Sequence, residues 1–353
     1  MQLRKAHQLL RGLLESPQEY EEHLQLHSSS LIMSAVYDYE TAPRDDPFVT
    51  IINKTLVILL ELVQPQLTAI LGTFPFILSL PTWFPGMSFK GRAALSRQYA
   101  AKWLSEPFQY VQERMKSGAS APSMVSDALE KWQNEDESGE MTAAIRETAA
   151  TVFLGASETT TSTLKIFVLA MVLHPEVQER AWLSIQSVIG TTRLPNFDDR
   201  ASLPYIDAVL RETLRWYPAI PTGNGSYYIP AFERADPPQA FHAQLILKMC
   251  IMDITYPKQR SLTDDTCSIA FGFGRRFCIG KHVADASLWS SMALMLAVFK
   301  FSKQKDDKGA DIDFEPRWFS GLATHPLPFP CVITPRHEGM DMGKLDDLIA
   351  ARI

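Results

Sequence analysis

Residues 271–280 read Phe-Gly-Phe-Gly-Arg-Arg-Phe-Cys-Ile-Gly, and this short stretch decides how the whole chain is interpreted. Glycine allows tight backbone turns that a side chain would obstruct, and the three phenylalanines can exclude water. Cys278 stands just before an apolar-periodic helix pattern and next but one to Arg276, so the helix dipole and the positive charge both favour a thiolate. A thiolate in such a place can be a nucleophile, a redox sensor or a metal ligand.

The spacing of these residues is more specific than their chemistry. The pattern Phe-x-x-Gly-x-Arg-x-Cys-x-Gly is filled in this chain by Phe271, Gly274, Arg276, Cys278 and Gly280. It resembles the haem-ligating signature of the cytochrome P450 family, the haem-thiolate monooxygenases. The resemblance implies that Cys278 is the axial iron ligand and that Arg276 pairs with a haem propionate. It also implies that Phe271, Gly272 and Gly280 shape the loop against the haem. The alternative is a buried structural cysteine in a glycine-rich turn.

The longest helical pattern in the chain runs from Met141 to Leu173, and its middle is unusual. Residues 155–163 read Gly-Ala-Ser-Glu-Thr-Thr-Thr-Ser-Thr, and glycine and consecutive β-branched residues are poor helix formers. Hydroxyl groups can also bend a helix by bonding back to its carbonyls. The residues alone leave two alternatives open. One is a break, with Ser157 capping a second helix; the other is one long helix that opens locally beside an active site.

Residues 155–160 resemble the acid–alcohol motif of the same family, with Ala156 where the family usually has glycine. The resemblance favours the single long helix. It implies that Thr159 hydrogen-bonds the dioxygen held over the iron, and that Glu158 helps to deliver protons.

Glu212 and Arg215 lie three residues apart on a helix predicted from Tyr205 to Tyr217, so they share a face. As a surface ion pair they would contribute about 0 to 1 kcal/mol. Their surrounding sequence, residues 203–218, precedes the cysteine motif in the order that the family shows. The resemblance implies a buried, structural network that braces the haem-binding loop. Loss of one partner of such a buried pair costs about 3–5 kcal/mol.

The resemblance covers most of residues 1–230 and 266–336 and is strongest to fungal members. Residues 231–265 diverge where the family places an arginine that completes the network, and either Arg234 or Arg260 could replace it. We attribute this interval to a variant or mis-spliced gene product rather than to a new functional insert.

The family's N-terminal part has no counterpart in this chain, so an incomplete N-terminus is expected. The first residues correspond to the helix that gives a tryptophan and an arginine to a haem propionate. By resemblance, Leu3 and His7 occupy those two places.

The amino-acid composition favours a globular protein and gives no sign of a nucleic-acid-binding protein. The 353 residues are 46% hydrophobic, which fits a globular protein with a large core. A net charge of −6 gives no case for nucleic-acid binding. The four cysteines lack paired spacing, which favours a reducing compartment. Residues 55–80 are the most apolar segment, but a glutamate and prolines interrupt it. We therefore expect no spanning helix. Two short helices are expected instead, and they could touch a membrane surface or be buried in the fold, of which burial is favoured.

The sequence predicts a mainly α, cytochrome P450-like single domain over residues 1–353, with a small β portion near the C-terminus. Residues 280–299 form a predicted amphipathic helix, and residues 195–201 a predicted loop. Strands are predicted at residues 299–302 and 331–334, with a turn at 319–323 between them.

By resemblance, the function is that of a haem-dependent monooxygenase. It would insert one oxygen atom of O₂ into a small apolar substrate, in fungal secondary metabolism or xenobiotic oxidation. NADPH–cytochrome P450 reductase would supply electrons through a basic face formed by Arg275, Arg276 and Lys281. The resemblance implies that the protein works at the cytoplasmic side of the endoplasmic reticulum. Because the chain shows no anchor, the protein would be bound peripherally there or be cytosolic. The alternatives are a truncated, non-catalytic relative that binds haem poorly or not at all, and a metal-free protein with a redox-sensing or nucleophilic Cys278.

Overall fold

A computed structural model of the chain describes residues 1–62, 65–132, 138–220, 270–272, 277–320 and 323–351. The chain divides into two compact units. The first consists mainly of residues 21–161, and the second of residues 2–20, 162–319 and 323–353. The single domain expected from the sequence stays a prediction.

The described ranges contain eleven α-helices: α1 Gln2–Glu15, α2 Tyr20–Tyr37, α3 Pro47–Leu62, α4 Pro65–Thr73, α5 Ser88–Lys116, α6 Met124–Trp132, α7 Glu140–Leu173, α8 Pro175–Ile189, α9 Pro204–Trp216, α10 Lys281–Val298 and α11 Met342–Ala350. Short 3₁₀ helices occupy Pro17–Glu19, Pro75–Ser79 and Phe197–Ser202. The strands are β1 Phe299–Lys303, β2 Trp318–Ser320, β3 Thr324–Pro326 and β4 Cys331–Pro335. The described residues therefore confirm a mainly α chain with its strands near the C-terminus.

The first unit is a helical core in which α3 packs along α5. Its buried side chains come from α2, α3, α5, α6 and α7, and include Tyr37, Ile52, Trp103 and Phe153. Asp46 caps the beginning of α3, because its Oδ1 accepts the backbone N–H groups of Phe48 and Val49, each at 3.0 Å. Such a cap satisfies donors that the first helical turn leaves without partners.

The second unit is organised around α10, which contacts α1, α8 and α9. Every residue of α10 from Ser287 to Val298 is buried. The predicted amphipathic helix is therefore wrong for this part: the helix is enclosed on all sides, as expected for a central core helix.

Two small antiparallel pairs of strands complete this unit. β1 pairs with β4, from Phe299 opposite Pro335 to Lys303 opposite Cys331. The side chain of Gln178 joins α8 to β1, because its Nε2 donates to the Phe301 carbonyl at 2.6 Å and its Oε1 accepts the Phe301 N–H at 3.0 Å. β2 pairs with β3. The turn predicted at residues 319–323, between β1 and β4, is wrong for Phe319 and Ser320, which belong to β2. Gly321 and Leu322 lie outside the described residues.

The apolar stretch that follows α3 is exposed rather than buried. Its large side chains stand in solvent, with Phe76 64% and Trp83 80% exposed, and Ile70, Phe74, Leu78 and Phe84 are exposed as well. The expectation of burial, made for residues 55–80, is therefore wrong for residues 70–80. We call residues 70–84 the apolar segment. Among the described residues, no helix combines the length and the apolarity needed to cross a bilayer.

Candidate active site

Cys278 lies at the end of a loop that leads directly into the central helix of the second unit. It is a free cysteine with an exposed side chain, three residues before α10 begins. The backbone N–H of Cys278 donates to the Phe271 carbonyl at 2.8 Å and so closes the loop. The N–H of Lys281 in turn donates to the Cys278 carbonyl at 3.3 Å. The loop thus presents the thiol at a helix N-terminus, where the helix dipole favours an anion.

Two glycines have different roles in this loop. Gly272 has a φ of +79°, a left-handed conformation that other residues rarely adopt, so the turn there depends on glycine. Gly280 has an ordinary φ of −83°, and it precedes the first residue of α10 without a side-chain cap. A Cβ at position 280 would lie 3.8 Å from the Cys278 Sγ. The absence of a side chain at Gly280 therefore leaves space beside the sulfur.

The middle of the motif, residues 273–276, lies outside the described residues. It consists of Phe273, Gly274, Arg275 and Arg276, the last of which is predicted to hold a propionate. The divergent residues 231–265, with Arg234 and Arg260, lie outside them too.

The two described cysteines differ in their surroundings. Cys278 is exposed, whereas Cys331 in β4 is half-buried, and burial raises the pKa of the Cys331 thiol to about 12. The thiolate is the form of cysteine that ligates a metal, and the raised pKa of Cys331 disfavours that form. The exposed sulfur, the loop that closes on Phe271 and the space left by Gly280 fit a thiolate-ligated haem. Cys331 does not fit one.

Thr159 and Glu158 belong to the first unit, on α7. The helix is continuous from Glu140 to Leu173, which rejects the predicted alternative of a break capped by Ser157. The described helix also remains α-helical over residues 155–163, so the local opening is absent from it. The Thr159 Oγ1 donates to the Gly155 carbonyl at 2.7 Å. The back-bonding predicted from the hydroxyl-rich sequence is therefore confirmed, whereas the roles of Thr159 and Glu158 in proton delivery stay predictions.

His7 lies in α1, within the second unit, and is partly buried. Burial lowers the pKa of His7 below 6.5, and the positive charge of Arg11 lowers it further. The imidazole is therefore neutral at neutral pH. It can donate a hydrogen bond to a carboxylate but brings no charge to it. Contact with a propionate stays a prediction.

Glu212 and Arg215 do form the predicted pair near the end of α9. The Arg215 Nε and Nη2 donate to the two carboxylate oxygens of Glu212, both at 2.5 Å. The Arg215 side chain is 14% exposed and that of Glu212 58%. The pair is thus bidentate, but only its arginine is enclosed, and the buried network expected by resemblance is wrong for Glu212.

A second arginine cluster was missed by the sequence analysis. Arg200, in the 3₁₀ helix before α9, donates to both Asp207 and Asp285 at 2.6 Å. Burial disfavours its charge, but the hydrogen bonds to Asp285 and Asp207 outweigh that effect and raise the pKa of Arg200 above its ordinary value. Asp285 lies 85 residues from Arg200, so no local spacing could have indicated the contact.

The described residues thus place an exposed cysteine just before a largely buried helix, in a mainly α chain. Comparison with known proteins identifies its family. The cytochrome P450 family model matches residues 3–225 and 256–331. The chain belongs to the cytochrome P450 family, which the motif at Cys278 had predicted.

The curated relatives are fungal cytochrome P450 monooxygenases. One from Armillaria gallica is 31% identical over 96% of this chain and 69% of its own length. One from Ampulloclitocybe clavipes is 33% identical over 93% of this chain and 63% of its own length. A multifunctional cytochrome P450 monooxygenase from Aspergillus fumigatus is 30% identical over 91% of this chain and 64% of its own length. The predicted family, its fungal type and its class of enzyme are thereby confirmed, and the chain spans about two thirds of the length of these relatives.

Proposed function

We propose that this chain is a haem-dependent monooxygenase that inserts one oxygen atom of O₂ into a small apolar organic substrate. We place that reaction in fungal secondary metabolism or xenobiotic oxidation. The observation that carries the proposal is the exposed thiol of Cys278, held at the N-terminus of α10 by a loop that closes on the Phe271 carbonyl. Family membership supports the same assignment.

Each site residue then has a defined task. Cys278 binds the haem iron, and Phe271 and Phe277 exclude water from the loop around it. When bound, the haem supplies the activation of O₂, for which a thiolate ligand is a strong electron donor. Arg276 and His7 donate hydrogen bonds to propionates. On α7, Thr159 and Glu158 hold and deliver the protons that the reaction consumes.

The electron donor that we propose is NADPH–cytochrome P450 reductase. The surface beside the thiol is suited to a partner that carries acidic groups, because Lys281 lies next to the loop with its Nζ 5.2 Å from the centre of the Phe277 ring. Arg275 and Arg276 add two further positive charges in the sequence. Charge complementarity of this kind speeds encounter between proteins.

We further propose that the protein works at the cytoplasmic face of the endoplasmic reticulum, attached through the apolar segment, residues 70–84. Exposed aromatic rings are favoured at the boundary between lipid and water. Residues 62–105 contain no aspartate or glutamate, but four cations, Lys90, Arg92, Arg97 and Lys102. A surface of aromatic and basic residues without acidic ones suits a bilayer with anionic lipids.

The test of the function uses two cysteine variants. The wild-type protein, reconstituted with haem, reduced and exposed to carbon monoxide, is expected to show the Soret band characteristic of thiolate ligation. Cys278→Ser is expected to lose that band and the turnover, because a serine hydroxyl is not a thiolate. Cys331→Ser is the matched control and is expected to retain both, since its thiol is half-buried and protonated.

Two outcomes would overturn the proposal. A Cys278→Ser protein that retains the spectrum and the turnover would remove the thiolate from its role. A folded wild-type chain that takes up no haem would favour the non-catalytic alternative.

A further inference from the structure

Arg200 connects the beginnings of two helices that carry the site motifs. Its Nη1 donates to the Oδ2 of Asp285 at 2.6 Å, and its Nη2 donates to the other oxygen of Asp285 at 3.1 Å. The Nε and Nη2 also donate to the Oδ1 of Asp207, at 3.1 and 2.6 Å. Asp207 lies in the first turn of α9, and Asp285 lies just after the first turn of α10. One guanidinium therefore fastens the start of each helix.

The arginine is itself held in place by aromatic rings. Its guanidinium carbon lies 5.4 Å from the centre of the Trp289 ring, and Trp289 is fully buried in α10. Phe197, three residues before Arg200, packs on the same tryptophan at 5.8 Å. The exposed fractions of the side chains are 27% for Arg200, 22% for Asp207 and 34% for Asp285. Partly enclosed, bidentate pairs of this kind fix geometry better than a lone lysine contact could.

The first residues of α10 are less enclosed than the rest of the helix. Gly280 offers no side-chain cap, and continuous burial begins only at Ser287. Between these points, the bond to Asp285 ties the helix to the rest of the second unit. Cys278 lies only seven residues before Asp285, so a movement of the first turn moves the sulfur as well.

We infer that Arg200 is a positioning residue that fixes the head of α10 against α9 and thereby sets where the Cys278 thiolate stands. The inference rests on the proposed function of Cys278 as the haem ligand. Arg200 acts through Asp285 and touches neither the thiol nor, in this proposal, the substrate.

A matched control lies in the same stretch of chain. Arg193 also makes a bidentate pair, with Asp199, at 2.6 and 2.7 Å. Its side chain and that of Asp199 are 13% and 9% exposed, so this pair is more enclosed than that of Arg200. Both members of the pair precede α9, however, and the hydrogen bonds of the Arg193 guanidinium go to Leu194 and Asp199 rather than to α10. It is therefore a more enclosed ion pair of similar hydrogen-bond length that lacks the proposed positioning role.

The first readout is made on the haem-free chain. Arg200→Gln is expected to speed hydrogen exchange of the amides of residues 281–286 about three- to tenfold, as for a local opening that loses charge-assisted hydrogen bonds. Arg200→Lys, which keeps the charge but not the fork, is expected to lie between Arg200→Gln and wild type, and it decides the question if Arg200→Gln does not fold. Arg193→Gln and Arg193→Lys are expected to leave these amides unchanged.

The second readout is the spectrum of the haem-loaded protein with carbon monoxide. A smaller fraction of the haem-loaded Arg200→Gln protein is expected to show the Soret band of thiolate ligation, whereas Arg193→Gln is expected to match wild type. The inference would be overturned if hydrogen exchange of residues 281–286 were equally fast in the Arg200 and Arg193 variants. It would also be overturned if the Arg200 variants matched wild type. Failure of the wild-type chain to bind haem would reject the proposed function alone, because the exchange comparison needs no haem.

Discussion

The hydroxyl of Thr159 shows what a single side chain can and cannot reveal. It donates to the Gly155 carbonyl at 2.7 Å, but Thr151 on the same helix makes an equivalent bond to the Glu147 carbonyl at 2.8 Å. Back-bonding of this kind is common for threonine in helices. The bond itself is therefore not a sign of function, and Thr151 provides a matched control for Thr159.

Substitution of each of these two threonines by valine separates a role in proton delivery from a purely structural role in the helix. Thr159→Val is expected to reduce the fraction of consumed NADPH that appears as product, about tenfold or more, because it removes a proton-carrying group from the site. Thr151→Val is expected to leave that fraction unchanged. The measurement compares NADPH consumed, product formed and hydrogen peroxide released by the haem-loaded protein with its reductase. If both variants lost the same share of this product yield, Thr159 would have only a structural role in the helix.

Short motifs made the candidate site residues recognisable, since Cys278, Glu158 and Arg215 each belong to a pattern of nearby residues, and the roles of these residues stay predictions. The contact of Arg200 with Asp285 was not predictable, because nothing in the local sequence distinguishes this arginine from a solvated one. Its importance comes only from the folded chain, which brings residues from distant segments together.

Helix α9 carries the Glu212–Arg215 pair at its C-terminal end, where the two side chains are unequally enclosed. Because the Glu212 carboxylate is 58% exposed, water screens the pair, and its contribution falls towards that of a surface ion pair. The pair can still orient Arg215, whose side chain is 14% exposed. Orientation rather than stability is therefore the role that the structure supports.

Glu212→Ala is expected to lower the free energy of unfolding of the haem-free chain by only about 1 kcal/mol. It is also expected to lower the haem content after gel filtration, if the pair braces the haem-binding loop. The control is Asp346→Ala, which removes an exposed pair with Arg11 between α11 and α1, at 2.7 Å. Urea unfolding and haem content are the measurements. A loss of about 3–5 kcal/mol would show that the pair behaves as a buried one, and equal haem content in the two variants would exclude the bracing role.

Long, strongly patterned elements were predictable, and short ones were not. The helical pattern predicted from Met141 to Leu173 differs from α7, Glu140–Leu173, by one residue at its start. The 3₁₀ helix Phe197–Ser202 was predicted as a loop, because six residues give too little periodicity to identify a helix. The three-residue strands β2 and β3 carry even less signal. Helix α11 was not predicted either, although Asp341 caps it by accepting the Lys344 N–H at 2.8 Å.

The chain as a whole exposes an apolar segment whose surface position was not predictable. Apolar residues at 70–84 are compatible with a core or with a surface, and only the fold decides between them. The exposure of Phe76 and Trp83 exceeds what solvent contact alone favours. Lys90, Arg92, Arg97 and Lys102 follow this segment in the sequence. The exposed rings and these cations together predict that the protein binds membranes through the apolar segment.

Co-flotation with lipid vesicles tests this prediction. The protein is expected to float with vesicles that contain phosphatidylserine, more weakly with neutral vesicles, and less as salt increases. Trp83→Ser is expected to weaken binding about tenfold, because one large apolar side chain no longer enters the interface. Leu183→Ser is the control, since Leu183 is 54% exposed but lies on α8. Equal binding by the two variants, or no flotation of wild type, would contradict the prediction.

The packing of α1 against α10 has a consequence for the synthesis of the protein. The apolar face of α1, which includes Leu9, Leu10 and Leu13, leaves the ribosome well before its partner α10, which is translated about 270 residues later. At about 5–20 residues per second, this delay is on the order of 15–60 s. Throughout that time the nascent chain carries an uncovered leucine-rich stripe, so it is a natural client for a chaperone that binds early and releases late.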